Sequence, residues 1–473
     1  MNGIFTDLKL ICLASVCLLL TSACAPVGKS PVVDRPATGT FTLFLQPLPQ
    51  EANRLSFSME HLAALTAEGK EVALPLRESR FVADGMMPGQ KKLVNLTLPP
   101  GHYRGIAFRI AGAEVTTDEG AMHLEPKPEQ VRVLFPFLVE EGRAETLFLS
   151  LSETRLVTDG VFFTPTFSLW KPQRLLTNLK GFVSNGGSQS LTVFNKRSAE
   201  VVSLLRVGKN PAGMVLDQQR NWLYVALTGE NAISAIEINN DSILGRVPLR
   251  FGDQPTELVL TGDGSTLLAL NRGSSSLSLI DTATLSETGR LSLPAEPYGL
   301  FLDPQGMRAF VTHRGTNGLT VVDLPSLQIR QTLSLDYSPL DGVADADGRQ
   351  LYLLSDFSAE VMVVDVPSMT MKERIFVGNG AVSIKMDPAS GLLYVGKQDG
   401  EIAVVDPRAL IAIDDIPVGS RVQDMAIDNE ENALFVLQPE RDQLVKIDLV
   451  SKKVLGRLDI ESGGDRVVVM GGR

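Results

Sequence analysis

Three carboxylates stand where a metal ion could be held. Glu257, Asp341 and Asp424 lie in loops that lead into corresponding strands of a unit that repeats along the chain. If these loops meet around one axis, the side chains would offer the oxygen ligands that Ca²⁺ prefers. A cation held there would assist the hydrolysis of a small oxygenated substrate. The alternative is a solvated rim whose charges keep the protein soluble, and we favour it because the three acids come from repeats that are not adjacent.

A second set of polar residues marks the end of the second strand in every repeat. The set comprises Asn185, Thr228, Asn271, His313, Ser355, Lys397 and Gln438, and Arg272 and Arg314 directly follow two of them. These ends should share one face with the three acids, so we expect a candidate binding face of mixed charge. His313 is the only histidine in this part of the chain, and a lone histidine is typical of a structural role. No G-x-S-x-G elbow occurs in the sequence, and we predict no catalytic residue and no cofactor, with Ca²⁺ at the three acids as the alternative.

The repeat itself predicts the fold. A short β-branched run recurs at steps of 41 to 44 residues, and its copies end at Asn195, Glu237, Asp281, Asp323, Asp365, Asp406 and Asp448. A period of about 40–45 residues with four short strands per unit is typical of β-propeller blades. We therefore predict a propeller over residues 180–473.

The number of strands predicts seven blades. Six complete repeats run from residue 211 to about 463, and three further strands precede them within residues 180–208. One more strand, at 466–470, follows them. Three strands and one strand make a seventh blade from both ends of the chain, and such closure removes the two open sheet edges.

The repeat resembles a known family. The phrases Leu-Tyr-Val-Ala at 223–226, Leu-Tyr-Leu-Leu at 351–354 and Leu-Tyr-Val-Gly at 393–396, with the Val-Val-Asp strand ends, resemble the YVTN propeller family. The resemblance implies the fold and says little about function. Sugar-lactonase-type propellers hold a divalent cation on the axis, and this likeness is the basis of the hydrolase alternative.

The region before the propeller predicts a β-sandwich. In residues 39–172, short runs such as 40–45 and 55–59 place apolar residues at every second position, and turn signals such as Pro-Pro-Gly at 99–101 separate them. This pattern is typical of an antiparallel sandwich. The segment LTLPPGHYRGIAFRI resembles an uncharacterised sandwich domain of bacterial lipoproteins, and that resemblance implies no chemistry.

The first residues predict a lipid anchor. Residues 10–20 form an apolar run of eleven residues, which is too short to span a bilayer but is typical of a secretory signal. Leu-Thr-Ser-Ala before Cys24 resembles the bacterial lipobox. The resemblance implies that residues 1–24 are a lipoprotein signal peptide, with cleavage directly before Cys24 and lipidation of its thiol. Cleavage at an ordinary signal site and an uncleaved anchor are the alternatives. Residues 25–38, rich in proline and small residues, then predict a tether.

Composition excludes several classes of protein. The net charge of −11 and the pI near 5.1 argue against nucleic-acid binding, which needs clustered Lys and Arg. Cys12, Cys17 and Cys24 all lie near the start, so the folded body has neither a disulfide framework nor a zinc motif.

These observations lead to one hypothesis and two alternatives. We expect a bacterial cell-envelope lipoprotein, bound to the outer membrane through Cys24, whose propeller is a non-catalytic platform for a ligand or for an envelope protein partner. The first alternative is a metal-assisted, lactonase-like hydrolase acting at the funnel. The second is a periplasmic redox protein, and the scarcity of Cys and His argues against a copper centre.

Overall fold

The computed structural model describes residues 38–49, 52, 54–83, 89–152, 156–355 and 358–471. Cys24, the predicted signal segment and the predicted tether up to residue 37 lie outside these residues. The span from Thr38 to Arg473 is one compact unit. Within the described part of the chain, no helix has the length and apolar character needed to cross a bilayer.

The first part of the unit is a two-sheet sandwich. Its strands are β1 (Gly39–Leu45), β2 (Leu55–Thr66), β3 (Glu71–Ala73), β4 (Arg80–Val82), β5 (Lys91–Leu98), β6 (Gly101–Thr117), β7 (Gly120–Pro126), β8 (Val131–Val139), β9 (Ala144–Leu151), β10 (Val157–Thr158), β11 (Phe162–Phe163) and β12 (Phe167–Trp170). One sheet has the order β12-β9-β1-β5, and the other has β10-β11-β7-β6-β2-β3 with β4 beside β2 and β8 beside β6. Most pairs are antiparallel, but β1 and β9 pair in parallel, as do β7 and β11.

Because side chains alternate along β1, this strand contributes to two hydrophobic cores. Phe41 and Leu43 point into the sandwich core, where the Phe41 ring lies 5.2 Å from that of Phe137. Phe44 points the other way and packs with Phe148 against propeller residues such as Phe194. Both faces of this strand are therefore buried, although only one of them is lined by a regular alternation of apolar residues.

The second part of the unit is a ring of seven four-stranded blades. Blade 1 contains β13 (Lys180–Asn185), β14 (Ser190–Asn195), β15 (Glu200–Arg206) and β40 (Gly464–Val469); blade 2, β16 (Pro211–Asp217), β17 (Trp222–Leu227), β18 (Ala232–Glu237) and β19 (Ser242–Pro248); blade 3, β20 (Pro255–Leu260), β21 (Thr266–Asn271), β22 (Ser276–Asp281) and β23 (Ser286–Ser292); blade 4, β24 (Pro297–Leu302), β25 (Arg308–His313), β26 (Gly318–Asp323) and β27 (Gln328–Ser334). Blade 5 contains β28 (Pro339–Ala344), β29 (Gln350–Ser355), β30 (Glu360–Asp365) and β31 (Thr370–Phe376); blade 6, β32 (Ala381–Met386), β33 (Leu393–Lys397), β34 (Glu401–Asp406) and β35 (Ile411–Pro417); blade 7, β36 (Asp424–Asp428), β37 (Ala433–Gln438), β38 (Gln443–Asp448) and β39 (Val454–Asp459).

The C-terminal strand closes the ring. β40 pairs antiparallel with β13, and Val469 lies opposite Gly181 while Val467 lies opposite Val183. Blade 1 therefore takes three strands from the start of the ring and one from its end. The predicted all-β fold, a sandwich followed by a seven-bladed propeller closed by the C-terminal strand, is confirmed.

The aspartates in the turns between first and second strands stabilise these hairpins. Asp303 shows the arrangement: its Oδ1 accepts the backbone N–H groups of Met307 and Arg308 at 2.8 and 2.9 Å. Asp345 accepts the N–H groups of Arg349 and Gln350 in the same way. These aspartates satisfy backbone donors of tight turns, as aspartate commonly does there.

The sandwich is fixed to blades 1 and 7 by buried polar contacts. The ammonium of Lys92 lies 3.1 Å from Glu461, and the two side chains are only 2% and 5% exposed. Gln90 makes two hydrogen bonds with the backbone of Val201 on β15. Because buried charges and amides are costly unless they are paired, these contacts define the docking geometry of the two parts.

Candidate functional site

The repeat places one residue of each innermost strand in a ring around the axis. Counted from residues 211, 255, 297, 339, 381, 422 and 464, which correspond to one another in the repeat, the third positions are Gly213, Glu257, Gly299, Asp341, Ser383, Asp424 and Arg466. All except Gly213 line one cavity at the end of the axis where the innermost strands begin. The third-position ring thus brings Glu257, Asp341 and Asp424 to a common cavity.

Arg466 forms an ion pair with Glu257 across the blade between them. Arg466 lies on β40 of blade 1, Glu257 lies on β20 of blade 3, and their side chains are in direct contact. The intervening third position is Gly213, where an added Cβ would clash with the Thr256 carbonyl oxygen and lie 2.9 Å from the Glu257 Cα. The missing side chain lets strand β20 approach and leaves space for the guanidinium to reach the carboxylate.

Asp424 is held from two sides. One of its oxygens lies 3.1 Å from the ammonium of Lys385, and the other accepts the backbone N–H of Val467 at 3.0 Å. Lys385 occupies the fifth position of its innermost strand, and by alternation it points to the same side as the third. The other fifth positions are apolar: Val215, Val259, Phe301, Val343, Ala426 and Val468.

Burial and mutual attraction shift the ionisation of this ring. Burial raises the pKa of the Glu257 and Asp341 carboxyls, and nearby cations only partly offset the effect. Burial acts against the charged forms of Lys385 and Arg466 too, but the surrounding carboxylates outweigh it and raise the pKa of both cations. The two bases therefore stay charged, while the two acids are the groups whose charge is disfavoured.

The cavity above the ring has a volume of about 780 Å³ and receives residues from all seven blades. Its charged lining residues are balanced in number. The cations are Arg272, Arg314, Arg421 and Arg466, and the acids are Glu257, Asp341, Asp424 and Asp465. A concave site of this size with convergent polar groups is typical of small-molecule binding.

One wall of the cavity carries a stacked aromatic ring. The guanidinium of Arg272 lies 3.8 Å from the centre of the Tyr298 ring, and that of Arg314 lies 5.2 Å from it. Arg272 also donates to the Tyr298 carbonyl oxygen at 2.8 Å and lies 3.8 Å from Glu257. These contacts fix Arg272 in one orientation, which is the preorganisation that ligand recognition requires.

The predicted polar set at the second-strand ends divides into two groups. Thr228, Arg272 and Arg314 line the cavity. The other six are buried, namely Asn185, Asn271, His313, Ser355, Lys397 and Gln438, and none of them is among the described residues that line this cavity.

The hydrogen bonds of the buried group run into the blades. Asn185 donates to Thr192 at 2.9 Å, and Asn271 donates to Ser278 at 2.8 Å. The His313 Nε2 lies 2.9 Å from the Thr320 hydroxyl, and burial lowers the pKa of this imidazole. Such contacts stabilise neighbouring strands and do not present a binding surface.

The three acids do not fit a divalent cation as they stand. No three His, Cys, Asp or Glu residues of the described part of the chain are grouped as a metal ion would need. Glu257 and Asp424 are each committed to a cation of the chain itself, Arg466 and Lys385. A metal would have to displace these partners.

Comparison with known proteins identifies the fold alone. No family model matches the sequence, and no curated protein matches it. A solved structure of a functionally unknown protein from Desulfotomaculum acetoxidans is similar with a TM-score of 0.55 at 12% identity, over 61% of this chain and 98% of that one. A candidate 6-phosphogluconolactonase from Bacteroides uniformis is similar with 0.52 at 16%, over 62% and 99%. The dihydro-heme d1 dehydrogenase NirN is similar with 0.51 at 14%, over 64% and 77%.

These likenesses and the blade topology define the class. The chain is a β-propeller protein with a β-sandwich docked on two of its blades, and its candidate site is the charged cavity at one end of the propeller axis.

Proposed function

We propose that this protein is a non-catalytic binding protein of the bacterial cell envelope, anchored through Cys24, whose propeller holds a polar ligand in the axial cavity. The observation that carries the proposal is the cavity itself, lined by all seven blades with four cations and four acids. The ligand is a small molecule or the end of a partner protein. We further propose that the propeller is of the YVTN type and that the mature protein resides on the outer membrane.

The arrangement of charges supports binding better than catalysis. Most of the ionised groups at the third and fifth positions are already paired with one another, as Glu257 is with Arg466 and Asp424 is with Lys385. A general base or metal ligand needs a carboxylate that is available to substrate. The buried contacts of the sandwich with blades 1 and 7 hold the cavity in a fixed orientation relative to the sandwich.

The lactonase-like hydrolase is the competing proposal. It rests on the shared propeller fold and on the three acids, and the pairing of two of them counts against it. Metal analysis of the purified protein separates the two proposals: one Ca²⁺ per chain that is lost in Glu257→Gln or Asp424→Asn would favour the hydrolase.

Obstruction of the cavity tests ligand binding. Ala212 lines the cavity, so Ala212→Trp should fill part of it, and Ala409→Trp, on an exposed turn of blade 6, is the matched control. Purified protein is dialysed against a small-molecule extract of a bacterial envelope, and retained compounds are measured by mass spectrometry. We expect a compound that the wild type and Ala409→Trp retain and Ala212→Trp does not. Retention of nothing, or equal retention by all three proteins, would overturn the binding function.

Substitution of the lipobox cysteine tests the anchor separately. Cys24→Ser should move the protein from the membrane to the soluble fraction, and Cys12→Ser, within the apolar run, is the control. Membrane association of Cys24→Ser equal to that of the wild type would refute lipidation at this residue.

A further inference from the structure

Two charged residues of the cavity differ from the rest. Asp341 has no ion-pair partner within 4 Å among the described residues, and its carboxylate accepts a hydrogen bond from the backbone N–H of Gly342 at 2.8 Å. Arg421 likewise makes no ion pair or side-chain hydrogen bond within the described part of the chain, and its Nε is buried without a partner. Both residues line the cavity and are only partly exposed.

The two groups do not neutralise each other. No ion pair within 4 Å joins Asp341 to Arg421, and the cations that act on the Asp341 carboxyl are Lys385 and Arg466. An acid and a base thus face the same cavity, and neither makes a direct ion pair within the described part of the chain. Partly desolvated charges in this state are costly, and a ligand that supplies the opposite charges removes that cost.

The charges are also ordered along the axis. The third- and fifth-position rings contain three acids (Glu257, Asp341, Asp424) and two cations (Lys385, Arg466), so this inner layer has a formal excess of one negative charge. The remaining charged lining residues have a formal excess of two positive charges. They either precede the third position or directly follow a second strand, and they are Asp465, Arg421, Arg272 and Arg314.

From these observations we infer that the axial cavity recognises a small zwitterion, with a protonated amine at Asp341 and a carboxylate or phosphate at Arg421. The inference rests on the proposed binding function and adds the chemical class of the ligand. An ammonium fits the acidic inner layer, and an anion fits the guanidinium side, where Arg can donate two parallel hydrogen bonds.

A series of simple zwitterions tests the inference by calorimetry. The probes are glycine, γ-aminobutyrate, ε-aminocaproate and phosphoethanolamine, and the single-charge comparators are caproate and hexylamine. We expect at least one zwitterion to bind roughly tenfold more tightly than both comparators, since a charge-assisted contact in a shielded site contributes about that much. The chain length of the best probe reports the separation of the two recognition groups.

Substitutions of Asp341 and Arg421 show which residue binds the ammonium end of the ligand and which binds its anionic end. Asp341→Asn should remove the preference for the zwitterion over caproate, and Arg421→Gln should remove the preference over hexylamine. Asp347→Asn and Arg349→Gln, both on the exposed turn at the other end of blade 5, are controls that should bind like the wild type. Melting temperatures of all variants verify that they are folded.

Each outcome decides the inference. Equal affinity for zwitterions and comparators, no binding of any probe, or wild-type binding by both site variants would overturn it. If no probe binds but the wild type still retains an envelope compound that Ala212→Trp loses, the zwitterion assignment fails while the binding function stands. If nothing is retained either, both fail.

Discussion

Arg466 on the last strand of the propeller forms an ion pair with Glu257 on blade 3, passing over Gly213 of the blade between them. The next residue, Val467, donates its N–H to Asp424 of blade 7. The strand that closes the ring therefore also joins blades on both of its sides at the axis. The same strand thus completes the propeller and supplies two of the contacts that shape its cavity.

Removal of residues 464–473 should unfold or strongly destabilise the propeller. Val467, Val469 and Met470 are buried, and each contributes about 1.5–3 kcal/mol as an upper estimate. We expect a large fall in melting temperature by circular dichroism, with partial recovery when a synthetic 464–473 peptide is added. An unchanged melting temperature would show that β40 is dispensable.

Gly213→Val should destabilise the fold by roughly 1–3 kcal/mol, because its side chain meets the backbone of blade 3 and that backbone cannot easily move. Gly262→Ala is the control, since a Cβ there meets nothing within 4 Å. Chemical denaturation measures both. A Gly213→Val variant as stable as the control would contradict the close approach of the two strands.

Asp341→Asn should stabilise the protein at neutral pH and have no effect in acid. Burial raises the pKa of Asp341 above its unfolded value, so the folded state holds the proton more tightly. The free energy of unfolding therefore falls as the pH rises from the unfolded pKa through the folded pKa. The variant should therefore melt higher than the wild type at neutral pH and equally below about pH 3, where the side chain is almost fully protonated in both states. A lower melting temperature at neutral pH would contradict this.

Asp365→Asn is a control whose effect on stability at neutral pH should have the opposite sign. Hydrogen bonds from Lys372 and Ser368 lower the pKa of Asp365 to about 2, so ionisation stabilises the folded state above its unfolded pKa. Asp365→Asn should lose stability at neutral pH, and the loss should shrink as pH falls toward 2.

Lys92→Met should cost about 3–5 kcal/mol, because it leaves Glu461 buried without its cation. The double variant Lys92→Met with Glu461→Leu should recover most of the loss, since both charges are then absent. A double-mutant cycle by urea denaturation measures the coupling. Additive effects of the two changes would show that the buried pair does not fix the sandwich on the propeller.

The architecture could be predicted from the sequence because the same strand pattern recurs in every blade of the propeller. Seven copies of the strand pattern set the number of blades, and unpaired strands at both ends of the repeat region implied the shared blade with β40. The parallel pairing of β1 with β9 was not predicted, since alternation in a single strand does not specify its neighbour's direction.

The candidate site was only partly predictable. The three acids were identified from their place in the repeat, but Asn271 and Gln438 were expected on a face. Asn271 instead bonds inside its blade, and Gln438 donates to the Val418 carbonyl oxygen in the segment that joins blades 6 and 7. Second strands are covered on both sides by neighbouring blades, so a polar residue at their ends need not be exposed. Lys385 and Arg466 were missed as site residues, although alignment of the innermost strands by their opening residues would have placed them at the fifth and third positions.

The most direct test of the account is a native mass spectrum of the protein purified from bacterial membranes. We predict one bound polar ligand per chain in the wild type and in Ala409→Trp, and none in Ala212→Trp. A wild-type spectrum without ligand, or equal occupancy in Ala212→Trp, would contradict the claim that the axial cavity is the functional site.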